Sequence, residues 1–344
     1  MGLIAAYYYI QYTTVELMAS SITPKTKIRG IIEILSAASE FSSFPIRHGE
    51  EKSLQILTRT LSLKLPDSAQ YNDANTKALI LLQSHFSRKT LSTDLYFDKK
   101  SILVESINLI QAIVDVISSN GWLKPALAAM ELSQMVVQGL WSKDNVLLQI
   151  PHCTNEIIKR CEAYEGEEPI ESIFDILSIE DDARNDIFRL SNDKMADVAA
   201  FCNNYPSIDV TFKVEDQNDI TAGDPVRIHV QLEREVDEED LEEMDATQLG
   251  LVSAPLFPKE KREGWWVVIG DLSSNTLLSL KRLNLQHKQK VTLEFLAPEE
   301  PGDHNMTLFC ISDSYLGCDQ EFSLPLSVAA NDSDDDDDDD DEED

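Results

Sequence analysis

VAAFCNNYPSIDVTFKV (Val198–Val214) holds the point at which the chain changes its hydrophobic period. As far as Tyr205 it closes a helical reading over 192–203. After Pro206 the apolar residues Val210, Phe212 and Val214 alternate, which puts their side chains on one face of a strand. Working outward, nearly everything before this point reads as helix, and the residues after it read as strand to about Val328. The predicted class is α+β and multidomain: an N-terminal helical bundle, a helix-hairpin-helix zone and a C-terminal β-sandwich.

Upstream, Leu3, Tyr7, Ile10, Leu17 and Met18 recur at helical spacing, so the chain starts inside a helix. Thr23-Pro24 predicts a cap with proline at the first helical position. Ile28, Ile31, Ile32 and Leu35 then share one apolar face. Further helices are predicted over 50–62, 74–88, 95–118 and 124–141. Asp73 and Asp94 serve as caps, and Asn120-Gly121 is a stop. Short connections make residues 1–141 a bundle.

Residues 142–206 read as short helices at 155–164, 169–178, 180–189 and 192–203. The stretch LLQIPHCTNEIIKRCEAY (Leu147–Tyr164), followed by PIESIFDIL, has the rhythm of a helix-hairpin-helix. That motif binds nucleic acid through glycine amides that approach a phosphate. Here His152 and Thr154 stand in the glycine positions and the zone is acidic, so it reads as a helical spacer that packs domains together.

Downstream, Val226, Ile228, Val230 and Leu232 alternate, as do Phe322, Leu324, Leu326 and Val328. Strands also fit 265–271, 276–285, 290–297 and 305–312. About seven strands with turn signals predict an immunoglobulin- or fibronectin-like sandwich over 207–330. An acidic loop at about 235–263 is expected to be mostly disordered, with Leu256-Phe257-Pro258 docking back. Twelve acids crowd the last thirteen residues, so 331–344 is expected to be a disordered tail. Ser333 there is a candidate phosphosite for an acid-directed kinase.

The net charge of −33 is uneven. Residues 1–124 carry 13 Lys/Arg against 11 Asp/Glu, whereas residues 207–330 carry 10 against 24. Only the first third can face a phosphate backbone without repelling it. Lys25, Lys27, Arg29, Arg47, Lys99 and Lys100 are its candidate RNA contacts. The five cysteines are scattered, which fits free thiols in a reducing compartment. No basic lead precedes the first apolar stretch, and Glu105 and Asp115 interrupt the most apolar helix, so neither reads as a signal peptide or a membrane span. There is no phosphate-binding GxxxxGK[ST] loop and no nucleophile elbow, and His152, Cys153 and Cys161 do not match a zinc pattern. No catalytic residue, metal or cofactor is assigned. Of Trp265-Trp266, one indole is expected in the core and the other on the surface. The exposed indole, Tyr315, Lys281 and Arg282 are the candidate protein-interface residues.

Several long strings resemble one family. YYYIQYTTVEL (Tyr7–Leu17), KIRGIIEILSAASEF (Lys27–Phe41) and FPIRHGEE (Phe44–Glu51) resemble the opening of the Sec63 homology module. SSNGWLKPALAAMELSQMVVQGLW (Ser118–Trp141), QIPHCTNEIIKRC (Gln149–Cys161) and VAAFCNNYP (Val198–Pro206) resemble its middle, and GWWVVIGD (Gly264–Asp271) and SDSYLGCDQE (Ser312–Glu321) its end. The resemblance is to the C-terminal copy carried by a large spliceosomal RNA helicase. It implies a bundle, a helix-loop-helix and a fibronectin-like sandwich, lying after two RecA-like domains and a winged helix in the parent, so that this chain is a piece of that parent or a separate product. It implies a non-catalytic protein-interaction and regulatory module in the nucleus, whose partners are spliceosomal proteins and the parent's motor domains. The alternative it carries is a ratchet on single-stranded RNA along 95–118, whose polar positions include Asn108 and Gln111. RNA binding is expected to be weak, because that helix has no Lys or Arg after Lys100. The acidic tail also resembles a translocation protein of the endoplasmic reticulum, whose membrane spans and J domain this sequence does not contain.

Overall fold

A computed structural model describes residues 10–166, 169–236 and 249–331. Among the described residues six α-helices come first: α1 (Tyr12–Ser21), α2 (Ile28–Ser36), α3 (Glu50–Thr58), α4 (Ala74–Phe86), α5 (Thr93–Ser119) and α6 (Leu123–Gln138). Ile31, Ile32 and Leu35 of α2 are fully buried against this group, as their spacing requires. Asp73 caps α4 by accepting from the Thr76 N–H at 2.7 Å. Gly121 takes a φ of +70° where α5 turns into α6. Two caps differ from expectation. Pro24 lies in a turn closed by the Thr23 N–H donating to Thr26 Oγ1 at 2.8 Å, and α2 starts only at Ile28. Asp94 sits in the first turn of α5, with Ser92 at the cap position. By length and composition α5 could span a membrane, yet its apolar residues from Ile102 to Ile117 are largely buried within the group. Leu3 and Tyr7 lie outside the described residues.

A charged cluster sits inside the helical part. Lys77 is fully buried and donates to Pro45 O at 2.7 Å and Glu50 Oε2 at 2.8 Å, with Asp98 Oδ2 at 2.6 Å. Arg47 bonds Glu50 Oε1 at 3.0 Å and Asp98 Oδ1 at 2.9 Å. Burial alone would push the Asp98 carboxyl up, but the hydrogen bonds from Arg47 and Lys77 hold it below its usual range. Two cations and two anions cancel, and the segment before α3 is thereby tied to α4 and α5.

Residues 142–206 form a short 3-10 turn (Val146–Gln149), then α7 (Asn155–Glu162), α8 (Ile173–Ser178), α9 (Asp181–Phe188) and α10 (Asn192–Asn204). A reciprocal capping box of Ser172 and Asp175 starts α8 at Ile173, later than the expected 169. Among the described residues there are seven strands: β1 (Ile208–Val214), β2 (Pro225–Arg234), β3 (Gly264–Asp271), β4 (Thr276–Asn284), β5 (Lys288–Leu296), β6 (Gly302–Ser312) and β7 (Gln320–Val328). They form two antiparallel sheets, of order β1-β2-β5 and β4-β3-β6-β7.

Both faces of the second sheet are covered. Trp265, Val267 and Ile269 join a cluster with the first sheet and the short helices, while Trp266 and Val268 join the core of the helical part. The indoles do point opposite ways. The expectation that one would be on the surface nevertheless fails, because the sheet's other side packs on α5 and α6. Trp265 is 0 % exposed, Trp266 2 % and Tyr315 0 %. The acidic loop also departs from its expected disorder over 249–263. Val252 N–H donates to Lys261 O at 3.0 Å, Glu263 N–H to Gly250 O at 2.7 Å, and Phe257 packs against the helical core, although Leu256 stays largely exposed. Residues 237–248 of that loop, and the tail from 332 onward with Ser333, lie outside the described residues.

The turn between β6 and β7 is where the parts meet. From α6, Ser133 Oγ donates to Asp313 O, Gln134 Nε2 to Ser312 O and Gln138 Nε2 to Ser314 O, each at 2.8 Å. Gln149 makes a two-way bond with Leu316, giving to its carbonyl at 2.9 Å and accepting from its N–H at 2.8 Å. Tyr205 OH donates to the same carbonyl at 2.8 Å, and Tyr315 OH accepts from the Ser253 N–H at 2.7 Å. Asp319 accepts from Gln134 Nε2 at 2.8 Å and from the Ser312 N–H at 2.8 Å. Burial outweighs these bonds and pushes its carboxyl up to about 6.

Two outcomes test this frame. Lys77→Met leaves buried carboxylates short of a partner and should cost about 3–5 kcal/mol in urea unfolding. The exposed Arg29–Glu33 pair should be worth under about 1 kcal/mol when Arg29→Met is measured the same way. The second concerns pH. Asp319 has a folded-state pKa of about 6 against an ordinary 3.8, so its stabilising term is full below 3.8 and is lost as pH rises through 6. The stability of Asp319→Asn relative to the natural chain should therefore rise between those limits, and a difference flat in pH would show that Asp319 does not titrate there.

Candidate interaction surfaces

The aromatic anchors inferred from sequence serve the core instead. Trp265 Nε1 donates to Glu263 Oε1 at 2.6 Å, and Arg234 holds the same oxygen at 2.8 Å. Tyr315 stacks edge-on against Phe201 and Tyr205. Arg282 lies over the Trp266 ring at 5.5 Å and pairs with the buried Asp313 at 3.2 Å, although the residue itself is exposed. Lys281, beside it on β4, is exposed.

The basic residues of the first third divide similarly. Lys25 and Lys27 are exposed before α2. Arg29 pairs with Glu33 at 2.9 Å, and Arg47 belongs to the buried charge cluster. Asn108 is exposed on α5, and Gln111 one turn on is half-buried. Sequence reasoning named Lys99 and Lys100 at the start of that helix but not the two rings beside them in LYFDKK (Leu95–Lys100). Tyr96 is 42 % exposed and Phe97 58 %, with Lys99 and Lys100 at 5.0 and 4.7 Å from the Tyr96 ring. Rings beside cations at the surface can stack a base and meet a phosphate.

In the hairpin of the second zone, His152 holds a φ of +63°, a conformation glycine adopts more readily. Its Nε2 lies 2.6 Å from Asp197, and Thr154 caps α7. A carboxylate beside the hairpin opposes a phosphate there. A cleft of about 430 Å³ runs alongside, lined by Arg88, Gln138, Leu148, Pro151, His152 and Leu256, among others. Arg88 spends its donors on the carbonyls of Gly139 (3.0 Å), Gln138 (3.3 Å) and Leu148 (2.8 Å), closing the C-terminus of α6.

Farther along the zone the surface is acidic. Glu165, Glu171, Glu180, Asp181, Asp182 and Asp186 are exposed, with Phe174 37 % exposed among them. Among the described residues no group of His, Cys, Asp or Glu is placed to hold a metal ion. All five thiols are free and buried, and Cys153 and Cys310 are pushed up to about 12, chiefly by burial. Such thiols are poor nucleophiles.

Comparison with known proteins places this architecture. The family profile described as the Sec63 Brl domain matches residues 1–325. The U5 small nuclear ribonucleoprotein 200 kDa helicases of Homo sapiens and Mus musculus are each 52% identical to the chain over 335 residues, 97% of its length. The DExH-box ATP-dependent RNA helicase DExH12 of Arabidopsis thaliana is 44% identical over 328 residues. The chain spans about 15% of the length of each of these relatives. It belongs to the Sec63 Brl domain family.

Proposed function

We propose that the chain is a non-catalytic protein-interaction and regulatory module of a spliceosomal RNA helicase, acting in the nucleus. The observation that carries this reading is identity at 52% along nearly the whole chain to a region that is a small part of a helicase named for the U5 ribonucleoprotein. Its partners are spliceosomal proteins and the motor domains of the parent chain. We read the units as 1–141, 142–206 and 207–330. We read the last as fibronectin-like, which the strand orders β1-β2-β5 and β4-β3-β6-β7 support. The exposed acids of 165–186 form the docking face for basic protein partners, since acidic surfaces steer basic ones. With the indoles and Tyr315 in the core, Phe174 is the apolar residue left on that face.

The second reading, a ratchet on single-stranded RNA along α5, is favoured by one cluster only: Tyr96 and Phe97 beside Lys99 and Lys100, upstream of Asn108 and Gln111. The first reading expects weak, salt-sensitive RNA binding confined to residues 1–124. Submicromolar affinity at physiological salt, abolished by Tyr96→Ala with Phe97→Ala, would favour the ratchet.

The chain should capture spliceosomal proteins from nuclear extract and should not hydrolyse ATP when highly purified. Reversing Glu171, Glu180, Asp181, Asp182 and Asp186 to Lys should weaken that capture while the unfolding midpoint stays nearly unchanged. Capture that survives this reversal but is lost on reversing Lys25, Lys27 and Arg29 assigns docking to the helical part instead.

A further inference from the structure

SIEDD (Ser178–Asp182) sets a serine before acids that stand two, three and four positions after it. Among the described residues three other hydroxyls have an acid three positions on: Thr13, Ser172 and Thr221. Each of them has that single acid in the next four residues, and each differs in geometry. Thr13 opens into α1, so the residues after it are helical. Ser172 closes a capping box with Asp175, and the half-buried Thr221 donates to Asp224. Ser178 is exposed as the last residue of α8, and its Oγ donates to Asp175 O at 2.9 Å within that helix end. The helix stops there. Ile179 has φ −80° and ψ 152° and Glu180 φ −62° and ψ 151°, so the chain runs extended between α8 and α9. Glu180, Asp181 and Asp182 are exposed along it. Arg184 braces the corner, donating to the carbonyls of Leu177 at 3.3 Å and Ile179 at 2.8 Å, on either side of Ser178.

We propose that Ser178 is a phosphorylation site for an acid-directed protein kinase. Such a kinase takes its substrate as an extended segment and presents cations to the carboxylates that follow the hydroxyl. Ser178-Ile179-Glu180-Asp181 offers both features while α9 stays folded. In the step, Ser178 Oγ attacks the γ-phosphorus of ATP. The Oγ–P bond forms, the bond from that phosphorus to the bridging oxygen of ADP breaks, and the hydroxyl proton passes to the kinase's base. The product adds about −1.5 to −2 of charge at pH 7. It lands one turn after Phe174 on the same side of α8, and directly before Glu180, Asp181 and Asp182. The site therefore regulates the docking face: phosphate deepens the negative field there and strengthens the hold on a basic partner. The new charge also meets the C-terminal end of α8, whose dipole opposes it. Arg184, which pairs at 2.8 Å with the largely exposed Asp181, is the cation at hand to offset that cost.

The regulation rests on the docking-face reading, and the modification does not. The full chain carrying Ser333→Ala is treated with ATP and a purified acid-directed kinase of the casein kinase II type, and the phosphate is located by tandem mass spectrometry. It should appear on Ser178. The rate should fall at least about tenfold when Glu180→Gln, Asp181→Asn and Asp182→Asn together remove the carboxylates the kinase reads. The unfolding midpoint of that neutral variant should stay nearly constant. A Ser178 left unmodified overturns the proposal, as does phosphate that appears there only after urea unfolds the chain. An undiminished rate in the neutral variant overturns it too. The second arm is the anisotropy of fluorescein-labelled decalysine at physiological salt. The phosphorylated chain should bind it at least about threefold more tightly than a Ser178→Ala chain treated alike, the acidic run from 332 onward being common to both. Phosphate on Ser178 with unchanged decalysine binding keeps the site, and strikes the docking-face reading together with the regulation drawn from it.

Discussion

The buried turn between β6 and β7 constrains everything around it. Its backbone groups are shut away from water and need partners, because an unmade hydrogen bond in the interior costs more than a made one gains. The partners come from elsewhere in the chain. Gln134 and Gln138 stand one turn apart on α6 and reach the carbonyls of Ser312 and Ser314. Gln149 and Tyr205 reach Leu316 from the second zone, and Ser253 reaches the Tyr315 hydroxyl from the strap before β3. A shift of any one part would orphan several polar groups at once. The consequence is a fixed relation between the helical part and the sheets.

That arrangement explains what could and could not be seen in the sequence. Periodicity located helices and strands well, because Ile31, Ile32 and Leu35 or Val226, Ile228 and Val230 follow the geometry of their own element. It failed at the Trp265-Trp266 pair, at Tyr315 and at the strap at 249–263, and for one reason. Local alternation says which side of a strand a residue occupies but not what covers that side. One of the two indoles reads as a surface residue until the helical part is laid over the sheet. The strap reads as a polar loop until Lys261 is seen 2.7 Å from Asp313 and Phe257 against the helical core. The glutamines of α6 likewise carry no local mark, since their partners lie nearly two hundred residues away.

Charge behaves the same way. Arg47 and Arg282 look like surface cations in sequence, and both are consumed by buried acids. Lys77 lies in the middle of an apolar helix and balances Glu50 and Asp98 with no exposure at all. Glu263 is less fully served. One oxygen bonds Arg234 and Trp265, the other has no hydrogen-bond partner, and burial drives the carboxyl upward. Cations and acids inside the fold nearly cancel, so composition alone does not tell which cations are free at the surface.

The turn that leads into α7 serves packing. A hairpin between two helices binds phosphate when glycines leave its amides bare. Here a histidine accepts the strained conformation, its ring is held by Asp197 from α10, and Thr154 spends its side chain on capping α7. A negative charge stands beside the turn. What remains is the apolar underside, where Ile157, Ile158 and Cys161 enter the same cluster as Trp265 and Tyr315. The turn before α7 thus seats that helix on the apolar cluster it shares with the sheets.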